Sequence, residues 1–566
     1  MALVMIQPKR MQNDQTDSFP NRFFGEKDPE PRYRLGMVVS GSLSEGVQVK
    51  LDRDAVIEGV TVGGYVTIDG QTNRKFFGIV TDIRLDATDV TVQKMPPADP
   101  ALLNMLRGTT VFGMLEVKPH LLREGDSGEL RPVKSVPAHF TLAYRSTPEE
   151  VREVFAKDEG ASYRIGSSLE DDKVEININL ERLVERSSAV FGRSGTGKTF
   201  LTLPLLASVI KHDLASCLIF DMHNDYGYTL KGDKNRKLKG LKQLNAIANK
   251  VVIVTLDAKS SSARHSSPEF ALKIGYEQIE PEDLESVRQI LSLSDVQVNA
   301  LYALKRKSPA GWINELLSED TEGVAKAMID DGRIAEGTYY AMQRKLQKLL
   351  TFEFLQERAA DNFVERILGY LTKGVSVVVE FGKYGDDLGA YVFVANFLTR
   401  RIRERYREMK EAAEGGGGAE PKKLVIAIEE AHKFLEPGVA EHTIFGTIAR
   451  ELRKYNVTLL IVDQRPSQID SEVMSQIGTR ITCALSDEKD ISAVFTGVHG
   501  AAQLRSVLAS LDSKQQALIM GHAVPMPVVV KTTEYGEAVY AEYSAPPSAA
   551  TLRKDETNLK SEKPFG

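Results

Sequence analysis

Cysteine is almost absent from this chain: 566 residues carry two, Cys217 and Cys483. Two thiols exclude a disulfide scaffold. Both lie in apolar, strand-like runs (Ser216–Phe220 and Ile481–Leu485), so they are expected as buried free thiols in a reducing cytoplasm. Long apolar runs are also missing. None approaches the ~18 residues needed to span a bilayer. Residues 1–32 are polar, lack the apolar centre of a signal peptide, and are expected as a mobile lead-in with no membrane partner. No cluster of cysteine or carboxylate at ligand spacing accompanies His223 or His432, so loop and hydrogen-bond roles are expected for them, not a zinc site. A basic excess is absent too. The formal net charge is −6, which argues against a nucleic-acid coat protein and leaves room for a local basic groove.

What is present divides the chain. Its length suits two or three domains, and 42% hydrophobic residues can fill sizeable cores. Residues 33–135 read as a small β-barrel of short strands (Arg34–Val39, Val60–Val62, Tyr65–Ile68, Lys75–Ile83, Val90–Val92, Val111–Val117) punctuated by turns such as Asp69-Gly70 and Gly125–Gly128. Residues 136–187 read as a connector with one helix near Pro148–Lys157. From Ser188 to 535 strands alternate with helices, which predicts an α/β core around a parallel sheet. Its strands are expected at Ala189–Phe191, Cys217–Asp221, Val251–Thr255, Ser376–Phe381, Leu424–Ile428, Thr458–Asp463 and Arg480–Leu485. Residues 280–370 interrupt the alternation as a helical insertion (Pro281–Lys305, Thr338–Phe354, Asn362–Leu371). Gly415–Gly418 reads as a tether after a long helix, Gly389–Ala413. Residues 536–566 form a C-terminal extension, polar from Pro546.

The chemistry is concentrated in three strand ends. Gly192-Arg193-Ser194-Gly195-Thr196-Gly197-Lys198-Thr199 fits G-x-x-x-x-G-K-[ST], the phosphate-cradling loop, between an apolar strand and a helix that begins at Lys198 and continues through Phe200. Glycines let backbone N–H groups turn inward, and the helix end adds partial positive charge. Lys198 would reach the β- and γ-phosphates of ATP, and Thr199 would ligate Mg²⁺. Pro204 stands inside that helix and predicts a local bend. Leu424–His432 brings a buried strand to two carboxylates: Glu429 to hold Mg²⁺ through water, where Asp is usual, and Glu430 to orient the attacking water. Asp221 ends another strand, and Gln464-Arg465-Pro466 follows a third, with Gln464 placed to sense a γ-phosphate or hold water. Phosphoryl transfer often needs an arginine from a neighbouring subunit. Arg186, Arg450 and Arg453 are the candidates. The densest basic stretch, Arg400 to Lys410, lies on a helix whose apolar positions recur at helical spacing, which favours a solvated face over a DNA grip.

The series GRSGTGKT, IFDMHNDYG, IAIEEAHKFL, IARELRKYNVTLLIVDQRPSQID, MSQIGTRI and QALIMGHAVPMPVVV resembles HerA-type hexameric DNA translocases of the FtsK/HerA group of P-loop ATPases, over most of residues 33–535. The resemblance implies an N-terminal barrel, a RecA-like motor with a helical insertion, and a homo-hexameric ring around double-stranded DNA. It implies that Lys198 and Thr199 bind phosphate and Mg²⁺, and that Asp221 and Glu430 serve hydrolysis. Gln464 would sense nucleotide, and Arg453 or Arg450, with Arg186, would contact the neighbour's ATP. The chain has Glu451-Leu452-Arg453-Lys454 where the family often has Gly before Arg-Lys. The resemblance further implies a separate partner, a NurA-type nuclease in DNA-end processing, or a nuclease or sirtuin-like effector in antiphage defence. Two other readings stand beside it: a conjugation- or secretion-type ATPase, and a non-motor scaffold whose ATP site only stabilises a ring.

Overall fold

The computed structural model describes residues 32–544, apart from 126–127, 156–159, 232–235, 319–322, 441–442, 499 and 513. The lead-in before Arg32 and the polar tail lie outside the described residues, as does part of the turn expected at 125–128.

Valine, isoleucine and threonine alternate through the first part of the chain and pair into a barrel. Strands Gly46–Leu51, Arg34–Ser42, Leu142–Arg145, Tyr65–Asp69, Arg74–Ala87 and Val111–Glu124 neighbour one another in that order, and Val111–Glu124 pairs back on Gly46–Leu51 to close the ring. Closure leaves few exposed edges. The interior is a compact cluster that includes Leu35, Val49, Val66, Ile68, Phe76 and Leu115. Two expected strands are not strands. Val60–Val62 lies in a loop, and Val90–Lys94 is a short helix capped by Asp89, whose carboxylate accepts from Thr91 N–H at 2.8 Å. No residue of that helix is buried, so nothing holds its β-branched residues in a sheet.

The α/β core is built on a second sheet of 12 strands. Eight consecutive strands run parallel, in the spatial order Phe270–Ala271, Val251–Thr255, Ser376–Glu380, Ser216–Asp221, Leu424–Glu429, Val457–Asp463, Ser188–Phe191, Thr479–Cys483. The near-continuous Val/Ile/Leu runs of those after the first are buried on both faces, as a sheet covered by helices requires. Four antiparallel strands extend it: Gln516–Gly521, Val528–Thr532, Ser162–Ser168 and Glu175–Asn179. The segment 136–187 thus contributes to both sheets, one strand to the barrel and two to the core. The barrel rests on the core through Tyr65 Oη, which donates to the Val529 carbonyl at 2.9 Å, and through Ser506 Oγ, which donates to the Thr81 carbonyl at 2.7 Å.

The insertion is helical but more broken than its periodicity predicts. Helix Pro281–Glu285 stops, and a second begins at Asp295 behind a capping box formed by Ser294 and Gln297. Helix Glu336–Leu346 passes into a tighter turn, Gln347–Thr351. The helix after the phosphate loop runs unbroken over Lys198–Lys211 through Pro204.

Candidate active site

The phosphate loop leaves strand Ser188–Phe191 between two strands. Gly192 N–H donates to the Asp463 carbonyl at 3.2 Å and Arg193 N–H to the Ala484 carbonyl at 3.2 Å, so both neighbouring strands hold the loop. Gly195 and Gly197 sit at φ +79° and +94°, the left-handed region that glycine enters without steric cost. Thr196 Oγ1 donates to the Arg193 carbonyl at 2.8 Å and closes the turn. Gly197 caps helix Lys198–Lys211 with no side-chain partner, leaving its first N–H groups to an anion. Lys198 Nζ donates to the Arg193 carbonyl at 3.2 Å. Burial lowers the Lys198 pKa, opposed by the negative charge of Glu430. Ser194 to Phe200 line one wall of a cleft of about 1120 Å³.

The facing wall holds the carboxylates. Strand Leu424–Glu429 ends in buried Glu429, whose Oε1 accepts from Tyr226 Oη at 3.1 Å while Oε2 is buried with no partner among the described residues. Burial, with nearby Asp221 and Asp225, pushes its carboxyl up to about 8. An orphaned carboxylate oxygen facing a cleft shared with the Thr199 hydroxyl fits a hard divalent cation such as Mg²⁺. Glu430 follows at φ +49°, a conformation uncommon outside glycine and frequent at functional sites. Both its oxygens lie 3.1 Å from Gln464 Nε2. His432 Nδ1 is 3.0 Å from Asp463 Oδ2 and 3.5 Å from Glu430 Oε2. Asp463, fully buried, also accepts the backbone N–H groups of His432 at 2.7 Å and Arg465 at 2.6 Å. Burial lowers the His432 pKa less than Asp463 raises it, so the ring titrates above its ordinary value.

A domain family described as "Helicase HerA, central domain" matches residues 163–402. The DNA double-strand break repair helicase HerA of Sulfurisphaera tokodaii is 25% identical over 508 residues, covering 88% of this chain and 93% of that protein. Its counterpart from Pyrococcus furiosus is 22% identical, covering 74% and 77%. That from Saccharolobus solfataricus is 26% identical, covering 70% and 73%. Along most of its length the chain is similar to HerA-type P-loop ATPases. Among solved structures, VirB4 of Thermoanaerobacter pseudethanolicus overlaps 68% of this chain and 99% of its own length at 13% identity and a TM-score of 0.44, too loose a match to bear on its chemistry.

The fold brings Gly195 to Phe200, Glu429, Glu430 and Gln464 around one cleft, and Gly192 beneath it as a strut. Asp221 is placed differently from the expectation. It does not line the cleft; it is fully buried and accepts the N–H groups of Asp225, Tyr226 and Gly227 at 2.7, 2.9 and 3.3 Å. Burial pushes its carboxyl up to about 7 against those bonds. Asp221 therefore shapes the loop that presents Tyr226 to Glu429. Neither Arg186 nor Arg450 lines the chain's own cleft. Arg450 pairs with Glu472 at 3.1 Å, and Arg186 packs over Gly478. The side chain of Arg453 lies outside the described residues. Sequence reasoning gave Asp463 no role, and it missed the wall formed by Lys514, Gln515 and Thr532 to Tyr535. Asp463 carried a weak signal as a second acidic strand end; the wall carried none.

Proposed function

We propose that this protein is an ATP-driven motor that moves double-stranded DNA through a ring of six copies. One observation carries the reading. A phosphate loop, a buried and a half-buried carboxylate and a glutamine meet in one cleft, in a chain whose relatives are named as DNA double-strand break repair helicases. Lys198 and the loop N–H groups bind the triphosphate. Glu430 orients a water and takes its proton as the water attacks the γ-phosphorus, releasing ADP and phosphate. Gln464 holds Glu430 until a γ-phosphate competes for its amide. Thr199 and, through water, Glu429 would hold Mg²⁺, which neutralises charge on the bridging phosphates. An arginine from the adjoining copy, Arg453 or Arg450 with Arg186, completes the site.

A motor of this kind supplies force and leaves cutting to a partner, a NurA-type nuclease or another effector such as a sirtuin-like one. The barrel is the docking surface this reading favours. The end of strand Arg74–Ala87 and the excursion that follows it to Val111 expose Leu85, Val90, Met95, Leu102, Leu103 and Met105, apolar side chains of the kind that partner surfaces cover.

The test is hydrolysis by the purified chain with and without linear duplex. The motor reading expects DNA to raise turnover severalfold. Unchanged turnover sinks it and favours a conjugation- or secretion-type ATPase. Effector output that survives in Glu430→Gln protein favours the scaffold.

A further inference from the structure

The cleft is longer than its phosphate end, and its character changes along it. Beyond Thr199 the walls turn from charged loop to rings and aliphatics: Phe200, Leu230, Leu238 and Tyr535, with Gln515 and Glu534 among them. The Phe200 and Tyr535 rings lie nearly parallel, 6.3 Å between centroids and 13° between planes. Tyr535 is held in place. Its Oη donates to the Lys239 carbonyl at 2.7 Å, and Tyr540 packs edge-on against it at 5.4 Å. Phe200 is only partly buried and directly follows the two residues that face the phosphates. Gln515 is held at φ +59°, unusual for glutamine, and its carbonyl accepts Thr532 N–H at 2.9 Å. Glu534 is paired with Arg236 at 3.3 Å, both well exposed.

Triphosphate hydrolysis has no use for such a surface, and a planar heterocycle attached to the same phosphates does. We infer that Phe200, backed by Tyr535, is the platform on which the nucleobase of the bound nucleotide stacks, with Gln515 and Glu534 at its rim within the same wall. The inference rests on the phosphate loop binding a nucleoside triphosphate. It assigns a ligand-binding role to the strand exit after Thr532, some 330 residues from the phosphate loop in sequence.

The discriminating probe is inorganic tripolyphosphate, which has the phosphates and no base. Calorimetric titration of the full chain compares it with ATP, each with Mg²⁺. Phe200→Ala and Tyr535→Leu are expected to weaken ATP about tenfold and to leave tripolyphosphate within about twofold. Tyr535 is buried and its loss can loosen the strand exit. Phe200→Leu, which keeps apolar bulk and removes the ring at a partly exposed position, is therefore expected to show the same selective loss. Wild-type ATP affinity in Phe200→Ala, or equal loss of both ligands, overturns the platform. A wild-type protein that binds neither ligand refutes instead the phosphate-loop reading beneath it.

Discussion

Three side chains in the cleft differ in what their removal does. Among the described residues Lys198 has no carboxylate within bonding distance; it leans on a carbonyl of its own loop. Lys198→Ala is expected to weaken ATP binding about 10- to 100-fold through loss of charge-assisted bonds, measured by the same titration. Glu430→Gln keeps the size of the side chain and its contact with Gln464. It is expected to bind ATP as wild type does while turnover falls about 10²- to 10⁴-fold, the range for losing a general base; a comparable loss of affinity would place Glu430 in binding. Glu429 links the site to stability. Burial first, then Asp221 and Asp225, raises its carboxyl to about 8 from an ordinary value near 4.5. The folded protein then holds a proton that the unfolded chain has already released. Stability of the nucleotide-free protein should fall as pH rises between those two values and level off above about 8, at up to ~1.4 kcal/mol per pH unit. Glu429→Gln has nothing to ionise there. Urea unfolding at pH 6 and pH 9 should show wild type losing a few kcal/mol relative to the variant, and parallel curves would mean that Glu429 is charged throughout.

At the scale of elements, the parts that pack by local pattern were readable and the parts made by distant pairing were not. Ser188–Phe191, Leu424–Glu429 and Val457–Asp463 are runs of Val, Ile, Leu and Ala that no solvated loop would tolerate. Their carboxyl ends, where Gly192, Glu430 and Gln464 follow, therefore announce the cleft. Val90–Val92 shows the reverse. Its β-branched residues look like a strand, yet no partner strand buries them, and the cap at Asp89 decides for helix. Strand Val528–Thr532 pairs with Gln516–Gly521, which pairs with Thr479–Cys483 beside the strand that leads into the phosphate loop, and this series of pairings carries Tyr535 to that loop. No window of sequence contains both. The basic helix Leu388–Glu414 was readable as a solvated face, and its charges are in fact committed. Arg400 and Arg401 both bond Asp283, which is buried, at 3.0–3.1 Å. Arg405 faces Glu408, Arg407 faces Glu411, and Lys410 faces Glu420. Arg400 thus fastens the insertion to the long helix. Asp283→Ala would leave Arg400 with the looser Glu282 and Glu404, at 3.9 and 3.8 Å, and Arg401 with backbone carbonyls, and should cost about 3 kcal/mol, the low end for a broken buried pair since the arginines retain some solvent and other partners. Arg400→Gln should likewise lower the melting temperature while leaving the slope of log affinity for duplex against log salt unchanged. A slope reduced by about one would place Arg400 on a DNA phosphate instead.

At the scale of the whole molecule, the cleft of a single chain contains much of a hydrolytic site, and the lysines and arginines lining it among the described residues are Lys198, Arg236, Lys433, Arg465 and Lys514. Among the described residues its arginines are Arg236, paired with Glu534 at the nucleobase end, and Arg465, beside Gln464. Arg186 and Arg450 face elsewhere: one is folded over Gly478 and the other tied to Glu472 on the surface. On the proposed ring, an arginine that neutralises charge in the transition state without reaching its own cleft would act on an adjoining copy's. The consequence is measurable by mixing. Arg453→Ala and Glu430→Gln proteins are each expected to turn over ATP at a small fraction of the wild-type rate, one lacking the donated arginine and the other the base. A seam whose cleft comes from an Arg453→Ala subunit and whose arginine comes from a Glu430→Gln subunit has both. In rings reassembled from equal amounts, about one quarter of seams are of this kind, so activity should rise above either parent and vary with the mixing ratio. Activity that stays at the average of the two parents at every ratio would mean that Arg453 does not act across the seam. The same mixture made with Arg450→Ala, or with Arg186→Ala, then decides which arginine does.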